Sequence, residues 1–148
     1  MVAIVGGQQT WNAGSPRSGA RLEGARAYPV GVTMANPVGW FEVTGPDAAA
    51  LQGFYADAFG WNIDASNPMN YGMVAAEEGG IGGGVGPHPE GKNHATFYIA
   101  VPDLDAALAR VGELGGQTIM PPMDVPDGPS IAFFSDPAGN QIGLMKGM

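Results

Sequence analysis

The sequence predicts an α+β domain built from two copies of one β-α-β-β-β unit, and three observations lead there. After Met34 the chain repeats itself at an offset of 56: Phe41 matches Phe97, Val43 matches Ile99, Pro46-Asp47 matches Pro102-Asp103, Ala50 matches Ala106, Gly60 matches Gly116 and Ile63 matches Ile119. Internal repetition of this kind marks duplicated structural units, here about 35–86 and 93–146. Each half opens on an apolar run and then changes to helical spacing. Each then breaks into short segments punctuated by Gly, Pro, Asn and Asp.

The opening strands are Val38 to Thr44 and Ala95 to Val101, alternating or apolar as half-buried strands are. Asp47 and Asp103 follow where a helix needs its N-cap, since a carboxylate accepts the orphan N–H groups of the first turn. Leu51, Phe54, Tyr55 and Ala58 recur at i, i+3, i+4 and i+7, and Leu104, Leu108, Val111 and Leu114 follow a similar spacing. Both stripes are expected to face a core. Gly60 and Gly115-Gly116 stop the two helices as C-terminal glycine caps, while Gly53 inside the first costs about 1 kcal/mol relative to alanine. Three short strands follow each helix, near 61–65, 71–76 and 80–85 and then near 117–121, 130–135 and 141–145. Gly86 to Lys92, with two prolines, reads as the linker between halves.

Composition narrows the classes. A chain of 148 residues, 45% hydrophobic and 14% charged, suits one packed domain. The absence of cysteine excludes disulfides, thiolate metal sites and cysteine nucleophiles. No apolar run approaches the roughly 18 residues of a membrane span, and the run Met1 to Val5 is shorter than a signal-peptide core of about 7 to 15. A cytoplasmic location is expected. Residues 1–33, rich in Gly, Ser, Ala and Arg without sustained periodicity, read as a poorly ordered tail or as an extended reading frame ahead of Met34. Charge divides the chain: 3 − 1 = +2 over residues 1–33 and 3 − 13 = −10 over residues 34–148. So acidic a body disfavours nucleic acid and multiply anionic substrates, and suits a neutral or cationic ligand; the same acids also serve plain solubility.

Several motifs now combine. Gly39-Trp40-Phe41-Glu42-Val43 with Gly45-Pro46-Asp47, then Phe54-Tyr55 and Phe59-Gly60-Trp61, open the first half. Phe97 to Ala107 opens the second, and Phe134-Ser135-Asp136-Pro137-Ala138-Gly139-Asn140-Gln141-Ile142-Gly143-Leu144 closes it with an Asp-Pro-x-Gly-Asn hairpin. The chain from 38 to 146 thereby resembles the vicinal oxygen chelate superfamily of glyoxalases, bleomycin-resistance proteins and dioxygenases. The resemblance implies a curled, mostly antiparallel eight-stranded sheet around a central cup, with the helices on its outer face. It also implies a divalent metal held by first and last strands, at positions that fall here on Trp40, Thr96, Gly143 and the neighbourhood of Gly82. None offers the carboxylate, imidazole or thiolate that such a metal needs, so no cofactor is expected; a divalent metal held in some other way stays open as the alternative that these positions do not support.

Alternation then lines the cup with Trp40, Glu42, His94, Thr96 and Tyr98, and with Gln141, Gly143 and Met145 from the last strand. Glycines at 82, 84 and 143 leave room for a ligand or for a neighbouring aromatic ring. Glu42 with Tyr98 is the candidate catalytic pair; Glu42 reads equally as a carboxylate bonded to Tyr98 or solvated at the mouth. His94 is an acid/base candidate or an exposed strand-end histidine. His88, Glu90 and His94 match no metal-binding spacing. Three functions compete: a metal-free binder of a small neutral or cationic, aromatic or apolar molecule; a glyoxalase-like lyase or isomerase, or a dioxygenase; and a non-catalytic interaction module. No nucleic-acid or membrane partner is expected, and the resemblance implies a homodimer.

Overall fold

A computed structural model describes residues 35–147. The expectation of a disordered segment over residues 1–33 lies outside these described residues. The first unit comprises β1 (Val38–Gly45), α1 (Ala48–Phe59), β2 (Ile63–Asp64), β3 (Gly72–Val74) and β4 (Gly82–Pro87). The second comprises β5 (His94–Val101), α2 (Leu104–Glu113), β6 (Gln117–Asp124), β7 (Ser130–Ser135) and β8 (Gln141–Lys146). The duplicated β-α-β-β-β units are present as the sequence predicts.

All eight strands form one open sheet in the order β2-β3-β4-β1-β5-β8-β7-β6. β1–β4 and β5–β8 are parallel and the remaining pairs antiparallel. The two units join where β1 and β5 run antiparallel with Phe41 opposite Phe97. These two residues are repeat equivalents, so a pseudo-two-fold axis passes between them. Both helices cover the same face, α1 over β1 and β4 and α2 over β6, β7 and β8.

Asp47 and Asp103 each accept the backbone N–H three residues on, from Ala50 at 3.0 Å and Ala106 at 2.9 Å, which starts both helices as expected. Gly60, at φ 69°, donates to the Ala56 carbonyl and closes α1. After α2, Gly116 donates to Val111 and Gly115, at φ 92°, donates to Gly112, the paired bonds of a Schellman ending.

The core sits under α2, where Val101, Leu104, Leu108, Ala132, Phe134 and Leu144 pack together with Ile99, Val111 and Ile142 at their border. The first helix departs from expectation. It buries no residue, and Phe54 and Ala58 of its predicted stripe are exposed. Where α2 drives Leu108 into the core, the equivalent residue of α1 is Gln52. Its amide donates at 2.8 Å to the carbonyls of both Asn70 and Val85, so a polar clasp replaces an apolar anchor. Tyr55 stacks on Trp61 at 5.2 Å, and Trp61 packs against Phe41 at 5.3 Å. Leu114, the last of the second predicted stripe, falls beyond α2 in the cap and is exposed.

Strand limits shift for local reasons. β2 and β3 are shorter than the predicted 61–65 and 71–76, because Trp61 turns onto α1 and the Asn67–Tyr71 turn consumes the residues between. β4 starts late, after a Glu77–Gly80 turn closed at 2.9 Å. β6 continues past 121 through Pro121-Pro122: the open side of an edge strand needs no N–H, and a register irregularity between Met120 and Met123 takes the pair out of regular bonding with β7. β8 ends one residue later than predicted, at Lys146. In urea unfolding, Leu108→Ala is expected to cost about 3 kcal/mol through its cavity. Asp103→Ala is expected to cost about 1 kcal/mol, with Asp103→Asn close to the parent.

Candidate functional site

Strand alternation sorts the sheet into a helix-covered face and a helix-free face. Phe41, Val43, Ile99 and Leu144 belong to the first; Trp40, Glu42, Thr96, Tyr98, Gly143 and Met145 belong to the second. Glu42 stands at the middle of the helix-free face, one residue from the pseudo-axis. Its Oε1 accepts the Tyr98 hydroxyl at 3.1 Å and its Oε2 accepts the Tyr71 hydroxyl at 2.8 Å. Trp40 Nε1 donates in turn to the Tyr71 oxygen at 3.1 Å. Glu42 and Tyr98 are themselves repeat equivalents, 56 residues apart, so the bond between them ties the two units across the axis.

Burial first, then the Glu42 charge, push the Tyr98 phenol above its ordinary range. The same two causes in the same order raise Tyr71, partly offset by the Trp40 bond. Both hydroxyls are therefore protonated donors at neutral pH.

The glycines explain how so many rings fit. β4 runs beside β1 with Gly82 opposite Trp40 and Gly84 opposite Glu42. A Cβ on Gly82 would come within 3.0 Å of the Trp40 ring, and one on Gly84 would overlap the Tyr71 hydroxyl. One on Gly143 would overlap the Tyr98 ring. The small residues accommodate neighbouring rings rather than leaving open space, which settles the alternative left by the sequence. Around this centre lie Phe133, 5.3 Å edge-on to Tyr98, and the methionines Met73, Met120, Met123 and Met145.

The remaining predicted residues have smaller roles. Thr96 is buried and donates to the Gln141 carbonyl at 2.9 Å, so exposed Gln141 takes part through its backbone. Met145 Sδ lies against Gly39. His94 stands outside the Glu42 network, near His88 and Phe133 at 6.1 and 6.3 Å between ring centres. It lines a separate cavity of about 530 Å³ with Val43, Leu51, Phe54 and Ala95, at the start of α1. That cavity does not reach Glu42. Tyr71 was missed by sequence reasoning: it precedes a three-residue strand too short to show alternation, and is set by Asn67, whose side chain clasps its backbone on both sides.

The positions matched to metal ligands need one correction. Tyr98 lies opposite Gly143 as Glu42 lies opposite Gly84, so Gly143 is equivalent to Gly84, whereas Gly82 is equivalent to Gln141. In neither layer is there more than one carboxylate or imidazole, the single one being Glu42. Among the described residues no three His, Cys, Asp or Glu side chains converge; Glu90 pairs with Lys92 instead of joining His88 and His94. The donor set does not fit a divalent centre.

Residues 40–145 match the family profile described as a glyoxalase-like domain. The chain belongs to that family. This glyoxalase-like domain is 33% identical over 116 residues to the putative glyoxylase CFP32 of Mycobacterium tuberculosis, covering 72% of this chain and 44% of that protein. It is 35% identical over 125 residues to the anthracycline biosynthesis protein DnrV of Streptomyces peucetius, covering 72% and 46%. The chain thus spans less than half the length of the curated relatives it matches. Methylmalonyl-CoA epimerase from Mycobacterium tuberculosis shares its fold at a TM-score of 0.59 and 14% identity, over 79% of this chain and 93% of that one. A glyoxalase/bleomycin resistance protein/dioxygenase superfamily member from Vibrio splendidus does so at 0.53 and 15%, over 76% and 99%. Among the described residues no helix is long and apolar enough to cross a membrane.

The raised phenols set an alkaline limit. Above about pH 10 the unfolded chain releases phenol protons that folded Tyr71 and Tyr98 retain, so stability falls as pH rises further. Urea titrations between about pH 9 and 11 are expected to show this decline, flattened in Tyr71→Phe and Tyr98→Phe.

Proposed function

We propose that this domain binds a small, largely apolar, neutral or cationic molecule on the helix-free face, without a metal ion, and that Glu42 is its polar anchor. One observation carries the reading: a carboxylate is fixed by two phenols at the centre of an aromatic and methionine-rich surface. Apolar walls with a few placed polar groups are the usual make-up of a small-molecule site, and methionine walls adapt to irregular shapes. The names of the relatives, a putative glyoxylase and an anthracycline biosynthesis protein, also point to small organic compounds. An enzymatic role would use the same residues, with Glu42 taking a proton from the bound molecule and Tyr98 or Tyr71 steadying the charge that develops.

A panel of aromatic compounds tests the binding reading by thermal shift. A true ligand at about 100 times its dissociation constant stabilises the fold by about 2.7 kcal/mol, and Trp40→Ala or Glu42→Gln is expected to reduce that gain. A panel in which no compound raises the melting temperature of the parent chain defeats the reading.

We propose further that a second copy of the chain covers α1. Phe54 and Phe59 are 59% and 63% exposed, and the repeat equivalent of Phe54 in solvent-facing α2 is Arg110. Phe54 also borders the cavity beside α1. A knob and a hole on one patch are what a two-fold pair exchanging them requires. Sedimentation equilibrium is expected to give a dimer for the parent chain and a folded monomer for Phe54→Arg; a monomeric parent refutes the pairing.

A further inference from the structure

Glu42 has binding capacity that its own fold leaves unused. An ionised carboxylate offers about four lone-pair positions, and the hydroxyls of Tyr71 and Tyr98 take one on each oxygen. The nearby Trp40 indole N–H is directed to Tyr71 instead. Glu42 is half-buried rather than enclosed.

Among the described residues its charge is unanswered as well. Of the basic side chains in the described residues, Lys92 pairs with Glu90 and Arg110 with Glu113. Lys146 follows Met145 in β8 and so alternates to the opposite face, beside Pro102, Asp103 and Leu104. None of the three stands on the helix-free face. An apolar ligand that covers Glu42 strips water from a carboxylate with no countercharge among the described residues, which is costly unless the ligand brings that countercharge itself.

Resting on the binding reading above, we propose that the bound molecule carries a primary or secondary ammonium group next to its aromatic or apolar body, and that Glu42 recognises that group. An ammonium supplies both an N–H for a free lone pair and the missing positive charge. With one phenol already on each oxygen, a compact point charge suits the carboxylate better than the two-pronged approach of a guanidinium. The aromatic rings of Trp40, Tyr71, Tyr98 and Phe133 in the same surface add further attraction for a cation. Carboxylates and phosphates are selected against.

Three probes of one shape test this by calorimetry: 2-naphthylmethylammonium, 2-naphthylmethanol and 2-naphthoate. The parent chain is expected to bind the ammonium at least about ten-fold more tightly than the alcohol and the carboxylate not measurably. The ammonium-to-alcohol ratio is expected to approach one in Glu42→Gln, and in the parent chain to fall as salt rises. The salt series keeps the test decisive should the variant fold poorly. Equal affinity for ammonium and alcohol in the parent, or a preference that survives in folded Glu42→Gln, overturns the ammonium assignment while leaving the binding site standing. Failure of all three probes to bind the parent overturns the site and the assignment together.

Discussion

β1 and β5 pair antiparallel with Phe41 opposite Phe97, and that register sets where everything on the helix-free face stands. Because the paired residues are repeat equivalents, Glu42 and Tyr98 fall diagonally across the pseudo-axis, close enough for the phenol to reach the carboxylate at 3.1 Å. A slip of one residue would turn Glu42 and Trp40 onto the helix side and bring Phe41 out, since side chains alternate along a strand. The parallel pairing of β1 with β4 carries the same alignment outward, bringing glycines beside Trp40 and Glu42.

Duplication has left two units alike in backbone and different in chemistry. Residues at equivalent positions now act differently. Leu108 anchors α2 in the core where Gln52 ties α1 to carbonyls, and Arg110 meets solvent where Phe54 remains bare. At the centre the division is between charge and donor, with Glu42 in one unit and Tyr98 in the other. A site at the seam of two repeats can be asymmetric in this way because each unit retains enough identity to fold alike, at Pro46-Asp47 and Pro102-Asp103 above all. The core is correspondingly lopsided, concentrated under α2.

The helix-free face is built from rings packed over glycines around one carboxylate. Bulky rings lie over glycines at 82, 84 and 143, and the carboxylate accepts one phenol on each oxygen. Methionines and Phe133 complete a surface that is soft, aromatic and acidic at one point. The sheet beneath it is a fold shared at 14% to 16% identity with proteins such as methylmalonyl-CoA epimerase.

The sequence by itself determined the two repeated units, both helix caps and the order of the strands along the chain. These are local matters: an N-cap aspartate, a glycine stop and an alternating strand are decided by a few neighbouring residues. It also put Glu42 and Tyr98 on one face, because period-two alternation and the repeat offset suffice for that. Only the tertiary structure decided that Tyr71 joins them, since its place depends on Asn67 holding a turn and on β3 lying beside glycines of β4. Only it set His94 beside the cavity at the start of α1 and exposed Phe54, because helical spacing says which residues share a stripe and not whether anything packs against it. Which equivalent glycine lies opposite which aromatic ring was a question of register between strands far apart in the chain, and hydrogen bonding across the sheet answered it.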